Sequence, residues 1–238
     1  MVGLGDDELI LAHRASEWAG HAPILEEDIA FANIALDEMG HAAAWYRLAG
    51  ELRDQMVETY PDQMVFAREA NEFRNVQMVE LPNGDWAFSL LRQYLFDSLE
   101  AVRLEALANS DWAPLADTAA KIRPEELYHI RHTRAWVRRL GLGTDESNRR
   151  IQQALDELYP YALQLFISAG DEGEFLPGGD ALRVAWEAEV RPVLTESNLA
   201  IPEVEGLPAR ARDEHTPHLV ELVEEMQMVA RQEVGAQW

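Results

Sequence analysis

The 238-residue chain contains no cysteine, only one lysine (Lys121), and no long uninterrupted apolar run. Without thiols there is no disulfide, no thiolate-bound zinc, no iron–sulfur ligation and no cysteine nucleophile. Any metal must be held by carboxylate and imidazole, a harder donor set that suits iron or manganese as well as zinc. Without a stretch of about 18 apolar residues, no segment reads as a membrane span. The first residues, Met1-Val2-Gly3-Leu4-Gly5-Asp6-Asp7, offer neither a basic n-region nor an apolar h-region. The expectation is therefore a cytoplasmic protein with no membrane partner. Positive charge is scarce too: 20 Lys and Arg face 43 Asp and Glu, for a net charge of −23. Such a chain has no cationic excess to neutralise phosphates, which argues against nucleic acid as a partner. An acidic, lysine-poor surface is expected of a salt-adapted protein, whose self-repulsion is screened at high ionic strength, or of a proteome that favours acids and arginine. Gly-rich phosphate loops, nucleophile elbows and kinase-type motifs are missing, so no flavin or NAD site is expected.

What the chain does have is helical periodicity over nearly its whole length. The pattern predicts a first helix from Asp6, as N-cap, to about Gly20, with Asp6 and Asp7 as charges favouring the helix dipole. Pro23 stands where a first helical residue would, and Ile24 to about Leu52 reads as a second helix with Ile29, Ala32, Ala35, Leu36, Met39 and Ala43 on its apolar side. Residues 51–84 are polar and broken by Pro61 and Pro82, with a short helix around Met64–Arg74. Asp85 caps a third long helix through Leu107. Asp111 and Pro114 open a fourth that reaches Arg139, with Pro124 inside it as a possible kink. Asp145–Ala169 reads as a fifth helix, Gly170–Gly179 as a Gly-rich acidic loop, and Asp180–Leu194 and Pro217–Glu233 as two more helices. The connections run short, long, short, with about 30 residues between two helical hairpins. That is the connectivity of a ferritin-like four-helix bundle. The fold class expected is all-α: a bundle over residues 1–143 with its crossover at 51–84, and additional helices over 144–238 packed on it.

Two Glu-x-x-His steps, Glu38-Met39-Gly40-His41 and Glu126-Leu127-Tyr128-His129, lie in the second and fourth helices. Residues three apart are about 60° apart on one helix face, so each step can hold a metal between a carboxylate and an imidazole. With 28 Glu and seven His in the chain, roughly one such step is expected by accident, so the partner acids decide the matter. Di-iron bundles use two such steps plus one acid from each of the other two helices. In an antiparallel hairpin, residues at one height are mirrored about the turn. The mirror of Glu38 about Pro23 is Glu8, and the mirror of Glu126 about Asp111/Trp112 is Asp97. The candidate metal ligands are thus Glu8, Glu38, His41, Asp97, Glu126 and His129. Glu100 is an alternative to Asp97 if the turn is looser.

Four carboxylates offset the charge of two divalent ions, so such a site can lie in an apolar bundle. Each imidazole is expected to pass its other N–H to an outer carboxylate or carbonyl. His132, one turn beyond His129, is a candidate for that outer ring. His13, His21, His215 and His218 read as structural or packing residues. Arg131, Arg134, Arg138 and Arg139 are the nearest thing to a basic cluster, and a solvated helix face accounts for them.

Several longer strings are distinctive: Leu11-Ala12-His13-Arg14-Ala15-Ser16-Glu17-Trp18-Ala19-Gly20-His21-Ala22-Pro23, Asn33-Ile34-Ala35-Leu36-Asp37, Tyr128-His129-Ile130-Arg131-His132 and His215-Thr216-Pro217-His218-Leu219. With Glu72-Phe73-Arg74-Asn75 and Pro82-Asn83-Gly84-Asp85, they resemble the PaaC-type subunits of the phenylacetyl-CoA ring-1,2-epoxidase over nearly the whole chain. The resemblance implies a multicomponent monooxygenase acting on an aromatic CoA thioester. In such a system the di-iron centre resides in a PaaA-type catalytic subunit, a PaaC-type chain supports it, and a reductase component delivers electrons. Many PaaC-type chains have lost the ligands of their own bundle. This one departs from that pattern and looks like the ligand arrangement of the related benzoyl-CoA epoxidase, so two iron ions are expected as its cofactor. Three readings remain open: a metal-competent epoxidase subunit, a metal-free scaffold for a PaaA-type partner, and a ferritin-like iron or peroxide handler. Self-association as a homodimer is a further possibility.

Overall fold

The computed structural model describes residues 1–170, 175–204 and 211–233, and its regular structure there is entirely helical. The Gly-rich acidic stretch expected at Gly170–Gly179 lies partly outside the described residues.

Four long helices make the frame: α1 (Val2–Ser16), α2 (Leu25–Leu52), α5 (Trp86–Leu107) and α6 (Ala113–Gly141). α1 packs on α2 and α5 on α6 as two antiparallel hairpins, and α2 meets α6 across the bundle. Local chemistry fixes their ends. Glu26, Glu27 and Asp28 fill the first turn of α2, where the helix dipole favours negative charge. Asp85 caps α5 by accepting from the backbone N–H of Phe88 at 3.0 Å, as its sequence predicts. Pro114 opens α6 where a missing N–H costs nothing, and Arg138 and Arg139 fill its last turn. α6 runs through Pro124, and at Gly141 an added Cβ would lie 2.1 Å from the carbonyl oxygen of Ser197. Only glycine lets these backbones approach so closely.

The crossover carries α3 (Tyr60–Phe66), a short 3-10 turn (Ala70–Glu72) and α4 (Gln77–Glu80) instead of the one helix expected around Met64–Arg74. Then follow α7 (Asp145–Ala162), α8 (Gly179–Glu196) and α9 (Pro217–Gln232). α7 stops at Ala162, short of the expected Ala169. α7 and α8 pack on α5, and α9 covers α3 and α4. One apolar cluster joins Leu4, Trp45, Tyr94, Leu99 and Val137 of the four-helix frame to Leu155 and Trp186 of the later helices. Within it the indole N–H of Trp186 donates to the carbonyl of Leu95 at 2.9 Å. Among the described residues, no helix is long and apolar enough to cross a membrane.

Two expectations need correcting. α1 begins at Val2, so Asp6 and Asp7 lie well inside it and are fully buried. Asp6 accepts from Arg68 (2.5 Å), Tyr46 (2.6 Å) and the Arg74 backbone (2.6 Å), while Asp7 meets Arg212 (2.9 Å), Arg103 (3.3 Å) and the Val76 backbone (2.7 Å). These are buried ionic staples tying the crossover and the late segment to α1, because a buried charge must be paired and hydrogen-bonded. Second, α2 begins after Ile24, and the stripe Leu25, Ile29, Leu36 and Met39 faces outward, with Leu36 65% exposed.

Candidate metal centre

The structure brings all six sequence-selected side chains to one depth in the bundle, each at most 2% exposed. Glu8 comes from α1, Glu38 and His41 from α2, Asp97 from α5, and Glu126 and His129 from α6. The donor atoms fall into two overlapping sets, Glu8–Glu38–His41–Glu126 and Glu38–Asp97–His129. Within each set, one ligand atom per residue lies within 4.8 Å of every other. Glu38 belongs to both sets. Glu126 also lies between the imidazoles: its Oε1 is 3.4 Å from Nδ1 of His41 and 3.3 Å from Nδ1 of His129. The two rings are 6.1 Å apart. Each Glu-x-x-His step thus offers an inward Nδ1, and the acids of α1 and α5 close the two ends.

The outward Nε2 atoms are held crosswise. His41 of α2 pairs with Glu125 of α6 at 2.8 Å, and His129 of α6 pairs with Asp37 of α2 at 3.2 Å. Each of these acids immediately precedes the glutamate of a Glu-x-x-His step, so the doubled acids Asp37-Glu38 and Glu125-Glu126 are a sequence signal that the motif alone does not use. Gln93, one turn before Asp97, is a further residue that the motif does not reach. Its amide donates at 2.7 Å to both Glu38 Oε1 and Asp97 Oδ1. The Thr133 hydroxyl bonds the His129 carbonyl at 2.9 Å and approaches Asp97 Oδ2 at 3.4 Å.

The remaining candidates lie elsewhere. Glu100 is buried but turned to Arg103 at 2.6 Å and belongs to neither donor set. His132 bonds Glu27 at 2.9 Å and stacks on Tyr128, so its polar contact is not with the six. His215 joins a separate buried network, with Nδ1 2.7 Å from Glu80 and Nε2 3.0 Å from the Phe73 carbonyl.

Electrostatics mark the centre as a place that wants cations. Burial drives the carboxyls of Glu8 and Glu38 well above the usual range; repulsion from Glu100 and Glu126 adds to it at Glu8, and repulsion from Glu8 and Glu126 adds to it at Glu38. Asp97 is raised in the same way, by burial and by Glu126. Burial alone would lower both imidazoles, yet the close approach and charge of Glu126 and the charge of Glu38 outweigh it, placing His41 at about 9 and His129 at about 10. Burial would raise Glu126, but the close approach and charge of His129 and His41 prevail and hold it at about 2. Protons on the imidazoles therefore stand in for metal charge. Even so, both oxygens of Glu8 and Glu126, Oε2 of Glu38 and Nδ1 of both histidines are buried without a hydrogen-bond partner. Unpartnered buried polar atoms are costly and rare, and seven converging in one spot fit a pair of divalent cations. Carboxylate and imidazole suit iron, manganese or zinc, and four carboxylates balance two dications.

The chain is 38% identical over 242 residues to the C component of the 1,2-phenylacetyl-CoA epoxidase of Escherichia coli strain K12, covering 99% of this chain and 96% of that protein. A family described as "Phenylacetic acid catabolic protein" matches from residue 1 to residue 238. The chain therefore belongs to the phenylacetic acid catabolic protein family.

Proposed function

We propose that this chain is the PaaC-type component of an aromatic CoA-thioester epoxidase and that its own bundle holds two iron ions. The observation that carries the metal half of the reading is the convergence of seven unpartnered buried donor atoms from three helices, α1, α2 and α6. The epoxidase half rests on the full-length likeness to the Escherichia coli protein.

In this reading Glu8, Glu38, His41 and Glu126 would hold one ion, and Glu38, Asp97 and His129 would hold the other. A bound iron pair supplies the dioxygen reactivity that epoxidation needs, with electrons from a reductase component. The chain's own residues set the conditions. Asp37 and Glu125 receive the Nε2 protons, so that Nδ1 of each ring is the free, basic ligand atom. Burial excludes water from the carboxylates, which strengthens their attraction for cations. Gln93 keeps Glu38 and Asp97 together while cations are absent.

A supporting role alongside a PaaA-type catalytic subunit has its own observation. Leu25, Ile29, Leu36 and Met39 form a one-sided apolar stripe at helical spacing along α2, and such a face ordinarily meets a partner. Pairing with a second copy would bury the same stripe.

The deciding experiment is elemental analysis with an anomalous diffraction map on protein reconstituted with iron under anaerobic conditions. Two ions per chain about 3.5–4 Å apart are expected, as in two-metal sites generally. Glu38→Ala should remove both. Oxygen consumption that depends on an aromatic CoA thioester and a reductase would assign the chemistry to this chain. No metal after reconstitution leaves the scaffold role, and iron-dependent peroxide consumption without thioester favours an iron or peroxide handler.

A further inference from the structure

Away from the centre, a groove of about 990 Å³ runs between α5, α6 and α8. Its floor is apolar, formed by Ala101 and Val102 of α5 with Leu127 and Ile130 of α6. Along one side stand Arg123, Arg131, Arg134 and Arg138, which the sequence periodicity sets on one face of α6. Three of these belong to the basic cluster expected to be a solvated helix face. Its fourth member, Arg139, turns away to lie over the ring of Trp136, while Arg123 joins the line. Arg138 pairs with Glu196 at 2.5 Å and Arg134 reaches Glu189 at 3.5 Å, whereas Arg123 and Arg131 make no ion pair among the described residues. With Arg138 and Arg134 offset by Glu196 and Glu189, Arg123 and Arg131 against Glu105 leave one net positive charge in a chain of net −23.

Fifteen residues of helix separate Arg123 from Arg138, a span of about 22 Å at 1.5 Å per residue. The volume lies at the upper end of the range for small-molecule sites, roughly 300–1,000 Å³. A simple anion would use one arginine and leave the apolar floor bare. The shape instead asks for a long ligand with phosphates grouped toward one end and a weakly polar arm running from them along the floor.

We infer that this groove binds the coenzyme A portion of an acyl-CoA, its phosphates on the α6 arginines and its pantetheine arm over the apolar floor. Guanidinium forks match phosphate oxygens in pairs, which makes arginine the fitting residue here. Taking an acyl-CoA as the occupant rests on the epoxidase reading above, but the groove is separate from the metal ligands. Ser98, Leu127 and Ile130 of its lining each directly follow a ligand (Asp97, Glu126, His129), so one layer of helix lies between the two sites.

The test is calorimetric titration of the whole chain with coenzyme A, pantetheine and inorganic pyrophosphate, with metal content measured on the same samples. Coenzyme A should bind one to one and more tightly than either fragment. Arg131→Gln with Arg134→Gln should weaken it by about tenfold or more per arginine, as expected for charged hydrogen bonds. Ala101→Trp, which fills the floor, should weaken coenzyme A while sparing pyrophosphate. Pyrophosphate binding as tightly as coenzyme A would reduce the groove to an anion patch and overturn the inference. So would indifference to both sets of substitutions in folded protein, or the absence of coenzyme A binding. If metal loading is intact in those cases, the inference alone fails; absent metal with intact coenzyme A binding sinks only the metal centre.

Discussion

Gln93 makes the two halves of the centre unequal. Its amide bonds Asp97 and the Asp97-side oxygen of Glu38, while the donor atoms around Glu8 and His41 have no such partner. An ion entering between Asp97 and His129 must displace that amide, and one entering beside Glu8 displaces only protons. Metal titration should therefore show a tighter first site and a weaker second, and Gln93→Leu should bring the two affinities together. The same substitution should cost the metal-free protein about 1–3 kcal/mol, because it leaves buried carboxyls without their donor. Two equal sites in the unaltered chain would contradict this account. The imidazoles give a pH dependence of definite sign. Their folded values of about 9 and 10 lie above the ordinary 6.5, so their contribution to stability is complete below 6.5 and lost as pH climbs through 9 to 10. Bound metal needs the rings neutral and abolishes that loss. Melting curves from pH 6.5 to 10 should fall for metal-free protein and stay flatter for metal-loaded protein. Metal uptake should release protons and tighten as pH rises.

Among elements, α2 carries two opposed duties on two faces. Inward it presents Glu38 and His41; outward it presents Leu25, Ile29, Leu36 and Met39. Its periodicity is readable from sequence but its orientation is not, since a helix with apolar residues on several sides does not announce which side meets the core. Ala35 and Ile34 take the core and Leu36 does not. Leu36→Asp should leave the isolated chain's melting temperature nearly unchanged, as surface substitutions do. It should abolish co-elution with a PaaA-type subunit, or self-association, in size-exclusion chromatography. Co-elution that survives would place the partner elsewhere. The ligand helices themselves are legible, because i, i+3 spacing and reflection about a tight turn are local geometry. The burial of Asp6 and Asp7 is not, because their partners Arg68, Arg103 and Arg212 lie 62 to 205 residues away. No local pattern reports such a distance.

At the scale of the molecule, a charge of −23 repels itself, and the ionic staples at Asp6 and Asp7 are enclosed where salt screens them little. Raising sodium chloride from about 0.1 to 1 M shortens the Debye length from about 10 to 3 Å, so surface repulsion should fade while the staples persist. The melting temperature should rise over that range if the acidic surface is a salt adaptation. A flat response would point to a compositional habit of the proteome.

The crosswise grip of Asp37 on His129 and of Glu125 on His41 gives α2 and α6 a shared register. Sliding either helix along its neighbour stretches both clasps together, so neither ring can be loosened alone. A chain seating itself on the outer ridge of α2 would push on that same rod. Pressure applied at the surface is thereby felt by both imidazoles at once, through nothing longer than the width of one helix.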